Sequence, residues 1–176
     1  MRRTFFPVAA EVATKKSMAL ILVGGGARSG KSRWALARAL RLGSRLVYIA
    51  TAEALDEEMS ARIARHRAER GSAFQTIEEP LELARAIRST DGDALIVDCL
   101  TLWLANGIGD VEGTIAAARE HTGEVIFVTN EVGCGIVPDN ALAREFRDRA
   151  GFVNQRFAEA ADEVYWMVFG QAVRVK

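Results

Sequence analysis

A chain of 176 residues is long enough for one domain with a substantial core, and 49% apolar with 26% charged residues is an ordinary globular composition. The 23 Lys and Arg balance the 23 Asp and Glu, so no positive excess draws the chain to nucleic acid or to an anionic membrane. No apolar run reaches the ~20 residues of a membrane span. Two cysteines remote in sequence, Cys99 and Cys134, read as small buried residues in a reducing compartment and not as a disulfide.

Residues 1–17 read as an appendage. Their short apolar stretch, Phe5 to Ala10, is cut off by Glu11 too soon to make a secretory signal. Met18 stands directly before the first strand and is an alternative start, so residues 1–17 are expected to carry no function and little order.

From there strands and helices alternate. Residues 19–23 form an apolar, β-branched strand, a glycine-rich loop follows, and Trp34, Ala35, Ala37, Ala39 and Leu40 fall at helical spacing. Further strands are predicted at 46–51, 74–78, 94–98 and 124–129. Helices are predicted at 55–70, at 80–88 with Pro80 in the first turn, at 100–106, at 111–119 and at 140–161 with a break near Gly151. Residues 164–168 and 172–175, around Phe169-Gly170-Gln171, make a closing β-hairpin. Such alternation argues a mostly parallel sheet with helices on both faces.

The loop after the first strand reads Gly25-Gly26-Ala27-Arg28-Ser29-Gly30-Lys31-Ser32, which satisfies G-x-x-x-x-G-K-[ST]. Glycines let backbone N–H groups close around a polyphosphate, Lys31 reaches the β- and γ-phosphates, and the Ser32 hydroxyl suits Mg²⁺. The motif lies between a strand and a helix, as a phosphate-binding loop must.

In open α/β sheets ligands lie beyond the carboxyl ends of the strands. Those ends carry the phosphate loop, Ala50-Thr51-Ala52, Glu78, Asp98 and Thr129-Asn130-Glu131. Asp98 closing an apolar strand has the form of a carboxylate that holds the Mg²⁺ of a bound nucleotide, or it caps the next helix. Glu78 and its neighbour Glu79 are equivalent on this evidence.

The helix predicted at 55–70 has an apolar stripe of Leu55, Met59 and Ile63 that should face the protein, and His66 falls inside it. Arg62 and Arg70 flank that face. A histidine there is either structural or a nucleophile, since neutral imidazole can attack an α-phosphate while guanidinium groups neutralise departing pyrophosphate. His121 has no such neighbours and falls at a helix end.

Taken together the sequence resembles the bifunctional adenosylcobinamide kinase / adenosylcobinamide-phosphate guanylyltransferase family of cobalamin biosynthesis. The resemblance rests on the phosphate loop, on Tyr48-Ile49-Ala50-Thr51-Ala52, and on Asp56-Glu57-Glu58-Met59 with Arg62-Ile63 and His66. It continues in Thr129-Asn130-Glu131-Val132-Gly133, Gly135-Ile136-Val137-Pro138, Arg147-Asp148, Ala150-Gly151 and Val153-Asn154-Gln155. It implies the three-layer α/β fold of P-loop NTPases, RecA-like, with a mostly parallel sheet and a C-terminal β-hairpin, as one domain over 18–176.

The activity so implied has two steps. ATP or GTP phosphorylates the aminopropanol hydroxyl of adenosylcobinamide, and GMP then passes from GTP to that phosphate through a GMP-histidine, releasing pyrophosphate. By the resemblance the catalytic residues are His66 and Lys31, and Ser32 and Asp98 hold Mg²⁺. Nucleotide contacts fall on Gly25, Gly26, Ala27, Arg28, Ser29, Gly30, Lys31, Ser32, Ala50, Thr51, Ala52, Arg67, Ala68, Glu69, Arg70, Glu78 and Asp98. The resemblance also implies a cytoplasmic homo-oligomer, a trimer, with nucleotide and corrinoid substrates and no nucleic-acid partner. The competing reading is a P-loop small-molecule kinase of one activity, with His66 structural. A nucleic-acid-dependent ATPase would need a basic face that the charge balance does not supply.

Overall fold

A computed structural model describes residues 18–107 and 109–176; the expected appendage at 1–17 lies outside the described residues. Seven strands form one sheet: β1 (Leu20–Gly24), β2 (Leu46–Ala50), β3 (Phe74–Glu78), β4 (Ala94–Asp98), β5 (Glu124–Val128), β6 (Glu163–Val168) and β7 (Gln171–Arg174). Their order is β3-β2-β4-β5-β1-β6-β7. All neighbours pair in parallel except β6 with β7, the expected closing hairpin.

The central strands are apolar throughout because both of their faces are covered. On one face Leu22, Val47, Leu95, Val97 and Phe127 meet α3 (Leu83–Arg88), α4 (Leu100–Asn106), α5 (Val111–Glu120) and α6 (Ala141–Ala160). On the other Ile21, Val23, Tyr48, Ile96 and Val128 meet α1 (Lys31–Ala39) through Ala35 and Ala39. Arg38 ties α1 to the sheet, donating to Glu124 Oε1 at 2.7 Å and to Glu163 Oε2 at 3.0 Å. That tie fixes the helix whose first residue is Lys31.

Helix α2 (Glu57–Arg70) joins neither core, and of its residues only Arg70 is buried. Asp56 caps it, accepting from Met59 N at 2.7 Å. The predicted stripe is thus displaced in role. Leu55 precedes the helix and is 82% exposed, while Met59 and Ile63 are half-buried against a cavity.

Most element ends fall within two residues of the sequence expectation; the start of α3 and the continuity of α6 depart further from it. Helix α3 starts at Leu83, so Pro80 precedes its first turn. The Pro80 and Leu81 carbonyls are held away from the helix by Asn106 Nδ2 at 3.2 Å and Trp103 Nε1 at 2.7 Å. Helix α6 runs unbroken through Gly151. Nothing lies within 4 Å of where a Gly151 Cβ would be, and Ala150, Val153 and Phe157 seat the helix on the sheet on either side of it.

Candidate active site

The carboxyl ends of the parallel strands open into a cleft of about 530 Å³, within the usual range for one small-molecule ligand. One wall is the phosphate loop between β1 and α1, and the facing wall is α2. The floor is Ala50, Asp98, Cys99 and Asn130 at the strand ends.

The loop geometry explains two of its three glycines. Gly25 (φ 147°) and Gly30 (φ 100°) occupy backbone conformations that favour glycine, and a Cβ on Gly25 would stand 2.9 Å from the Met167 carbonyl. Gly26 has nothing within 4 Å of its notional Cβ. From the far side the β6–β7 turn buttresses the loop, with Gly170 N donating to Ser29 O at 3.1 Å.

Lys31 is buried and donates to the carbonyls of Gly25 at 2.9 Å and Gly26 at 2.6 Å. Burial pushes its ammonium below the ordinary lysine value, and Asp98 and Cys99 oppose that shift. Ser32 Oγ donates to Asp98 Oδ2 at 2.6 Å, and Tyr48 OH donates to the same oxygen at 2.7 Å. Arg70 lies over the Tyr48 ring, 4.0 Å from its centroid. Arg70, Tyr48, Asp98 and Ser32 are therefore one connected network.

One hydroxyl and one carboxylate at 2.6 Å fit an oxygen-preferring cation that keeps its remaining coordination for phosphate and water. Among the described residues no cluster of three His, Cys, Asp or Glu suggests a softer metal.

His66 lines the same cleft, its side chain 34% exposed and its Nδ1 3.7 Å from Glu69 Oε2. Arg62, Arg65 and Arg67 line the wall around it. Arg67 pairs with Glu78 across the mouth, so two of the predicted nucleotide contacts engage each other. Glu79 turns away, accepting from Leu81 N and Glu82 N at 3.1 and 2.8 Å, which separates it from Glu78.

The cleft brings together Ala27 through Ser32, Ala50, Ala52, Arg67, Glu69, Arg70, Glu78 and Asp98 from the predicted set. Thr51 is turned inward, its hydroxyl donating to the Cys99 carbonyl at 2.9 Å and accepting from Cys99 N at 2.8 Å. Ala68 is exposed and is not in the cleft lining. The expectation of two buried cysteines holds for Cys99, whose thiol is pushed up to about 12 by burial, and fails for Cys134, which is exposed on a loop. His121 ends α5, as expected, with Nδ1 accepting from Gly123 N at 3.0 Å.

Sequence reasoning placed Asn130 at a strand end but gave it no role, and it missed the role of Tyr48. Asn130 N donates to Thr101 Oγ1 at 2.8 Å, while Asn154 Nδ2 on α6 donates to the Asn130 carbonyl at 3.4 Å. A buried tyrosine needs a partner for its hydroxyl, which is the signal Tyr48 offers. The partner becomes visible only when β4 is known to lie beside β2, setting Ala50 opposite Asp98.

Comparison with known proteins was made on this geometry. The family model described as cobinamide kinase / cobinamide phosphate guanyltransferase matches residues 21–175. A bifunctional adenosylcobalamin biosynthesis protein, CobP of Pseudomonas aeruginosa, is 44% identical over 166 residues, covering 88% of this chain and 96% of its own length. The CobU protein of the same description from Salmonella typhimurium is 41% identical, with 89% and 99% covered. Among solved structures, the flagellar accessory protein FlaH of Methanocaldococcus jannaschii superposes with a TM-score of 0.56 at 15% identity, over 90% of this chain and 78% of that one. That likeness supports the fold alone.

Proposed function

The chain belongs to the cobinamide kinase / cobinamide phosphate guanyltransferase family, and on that premise we propose how one cleft carries both reactions. It is a bifunctional enzyme of adenosylcobalamin biosynthesis, on a RecA-like P-loop fold. The observation that carries the mechanism is that His66 and the phosphate loop line a single cavity.

In the kinase step the loop N–H groups and Lys31 take the β- and γ-phosphates of ATP or GTP. Lys31 exchanges its two loop carbonyls for phosphate oxygens. Ser32 and Asp98 would hold Mg²⁺, which would supply charge to offset that on the phosphates. The oxygen of the acceptor hydroxyl bonds to the γ-phosphorus and its proton passes to solvent, the γ–β bridging bond breaks, and the nucleoside diphosphate leaves.

In the transfer step Nε2 of His66, the ring nitrogen that does not face Glu69, is the nucleophile. Nε2 bonds to the α-phosphorus of GTP, the α–β bridging bond breaks, and pyrophosphate departs towards Lys31 and the α2 arginines. A phosphate oxygen of the acceptor then displaces the imidazole and takes the GMP. Guanine-side contacts from Arg70 and Glu78 complete this reading, with Arg67 released from Glu78 when the nucleotide enters.

The family resemblance further supports a cytoplasmic homo-oligomer, a trimer, which sedimentation equilibrium would read directly. Among the described residues no helix is long and apolar enough to cross a membrane.

Separate assays of the two steps test the division of labour. His66→Asn should abolish GMP transfer and leave phosphorylation of adenosylcobinamide largely intact, while Lys31→Ala should depress both by orders of magnitude. Retained GMP transfer in folded His66→Asn protein would remove His66 from the chemistry.

A further inference from the structure

We propose that the corrinoid acceptor rests on the outer surface formed by the loop after β5 and the first half of α6, and sends only its reacting arm into the cleft. This rests on the function proposed above. A cleft of about 530 Å³ suits one nucleotide and leaves no room for a corrin macrocycle beside it. The macrocycle must therefore sit outside, on a surface continuous with the cleft mouth.

Among the described residues, the rim at the end of β5 passes into such a surface with apolar character. Asn130 lines the cleft, and the next residue, Glu131, lines a second hollow of about 320 Å³ with Gly133, Arg147, Gly151, Phe152 and Gln155. Asn154 joins the two regions, because it accepts from Thr129 Oγ1 at 2.6 Å and donates to the Asn130 carbonyl at 3.4 Å. Phe152 (67%) lines this hollow and is exposed, and so in the same stretch of chain are Val132, Ile136 (96%) and Val137 on the loop after β5 and Leu142 (78%) in the first turn of α6. The rim formed by α2 is instead set with Arg62, Arg65, Arg67, Glu58 and Glu69.

The chemistry of this patch matches the ligand. A corrinoid is a broad ring with apolar faces and an edge of amide side chains. Exposed Ile, Val, Leu and Phe suit the faces, and Glu131, Arg147, Asp148 and Gln155 suit amides that both donate and accept. The arm that carries the hydroxyl then enters past Asn130 towards the phosphates held by Lys31.

Cys134 lies exposed within the same loop and gives a readout that needs no substitution. Adenosylcobinamide, at a concentration shown by equilibrium dialysis to saturate the protein, should slow alkylation of Cys134 at least about tenfold, and ATP alone should not. The double variant Ile136→Gln, Phe152→Gln alters two exposed side chains, so the fold should persist. It should raise the dissociation constant for adenosylcobinamide at least about tenfold, with nucleotide affinity and oligomeric state unchanged. Unprotected Cys134 under saturating corrinoid, or unaltered corrinoid affinity in the double variant, overturns the placement. So does a variant that falls apart into smaller species, which would assign the patch to contact between copies of this chain. A wild-type protein that binds no corrinoid would instead overturn the proposed function.

Discussion

Lys31 is a buried cation held by the carbonyls of its own loop, and this makes nucleotide binding sensitive to alkaline pH. Burial lowers its pKa from 10.5, and a bound polyphosphate raises it again. A group whose pKa rises on binding contributes affinity below its free-protein pKa and loses it above. Nucleotide affinity measured by calorimetry should therefore decline as pH rises, by up to about tenfold per pH unit, with the decline setting in before pH 10.5 is reached. A profile level past that point would remove Lys31 from phosphate binding. The adjacent glycines separate by the same close geometry. Gly25→Ala puts a Cβ against a backbone carbonyl at positive φ and should cut turnover by orders of magnitude, whereas Gly26→Ala enters open space and should cost about tenfold at most. Equal losses would contradict the loop geometry. The loop was legible because its motif is local, eight consecutive residues whose chemistry needs no partner elsewhere. Tyr48 was not, because its role depends on a strand 50 residues away in sequence.

At the scale of elements, α2 is the least anchored helix, since only Arg70 is buried and its apolar residues line the cleft. A helix held so lightly depends on its own ends. Removing the cap with Asp56→Ala costs about 1 kcal/mol locally, so amide exchange across 57–70 should quicken several-fold while the melting temperature barely moves. Slowed exchange, or a fall in global stability with no local change, would contradict this independence. Periodicity made the inward side of α2 legible, including the place of His66 on it. It could not tell that the inward side meets a cavity, because a stripe reads the same against a core or a cleft. The start of α3 escaped for a related reason: Trp103 and Asn106, more than 20 residues on, hold the preceding carbonyls.

For the whole molecule, alternation of strands and helices was enough to give a parallel sheet, and the rule for strand carboxyl ends gathered Lys31, Ala50, Glu78 and Asp98 before any coordinates. Strand order was out of reach, since parallel neighbours are chosen by packing between remote segments. With that order known, β1, β4 and β2 set the phosphate loop, Asp98 and the base of α2 around one space. The central claim is that this space presents the α-phosphate of GTP to His66. It is tested most directly by incubating the protein with Mg²⁺ and α-labelled GTP, denaturing it, and locating any retained label. The expected result is label on His66 as a P–N bond, lost in mild acid and kept in alkali, absent from His66→Asn and absent when the label is on the γ-phosphate. Label that survives acid, persists in folded His66→Asn protein, or never forms in the wild type would contradict it.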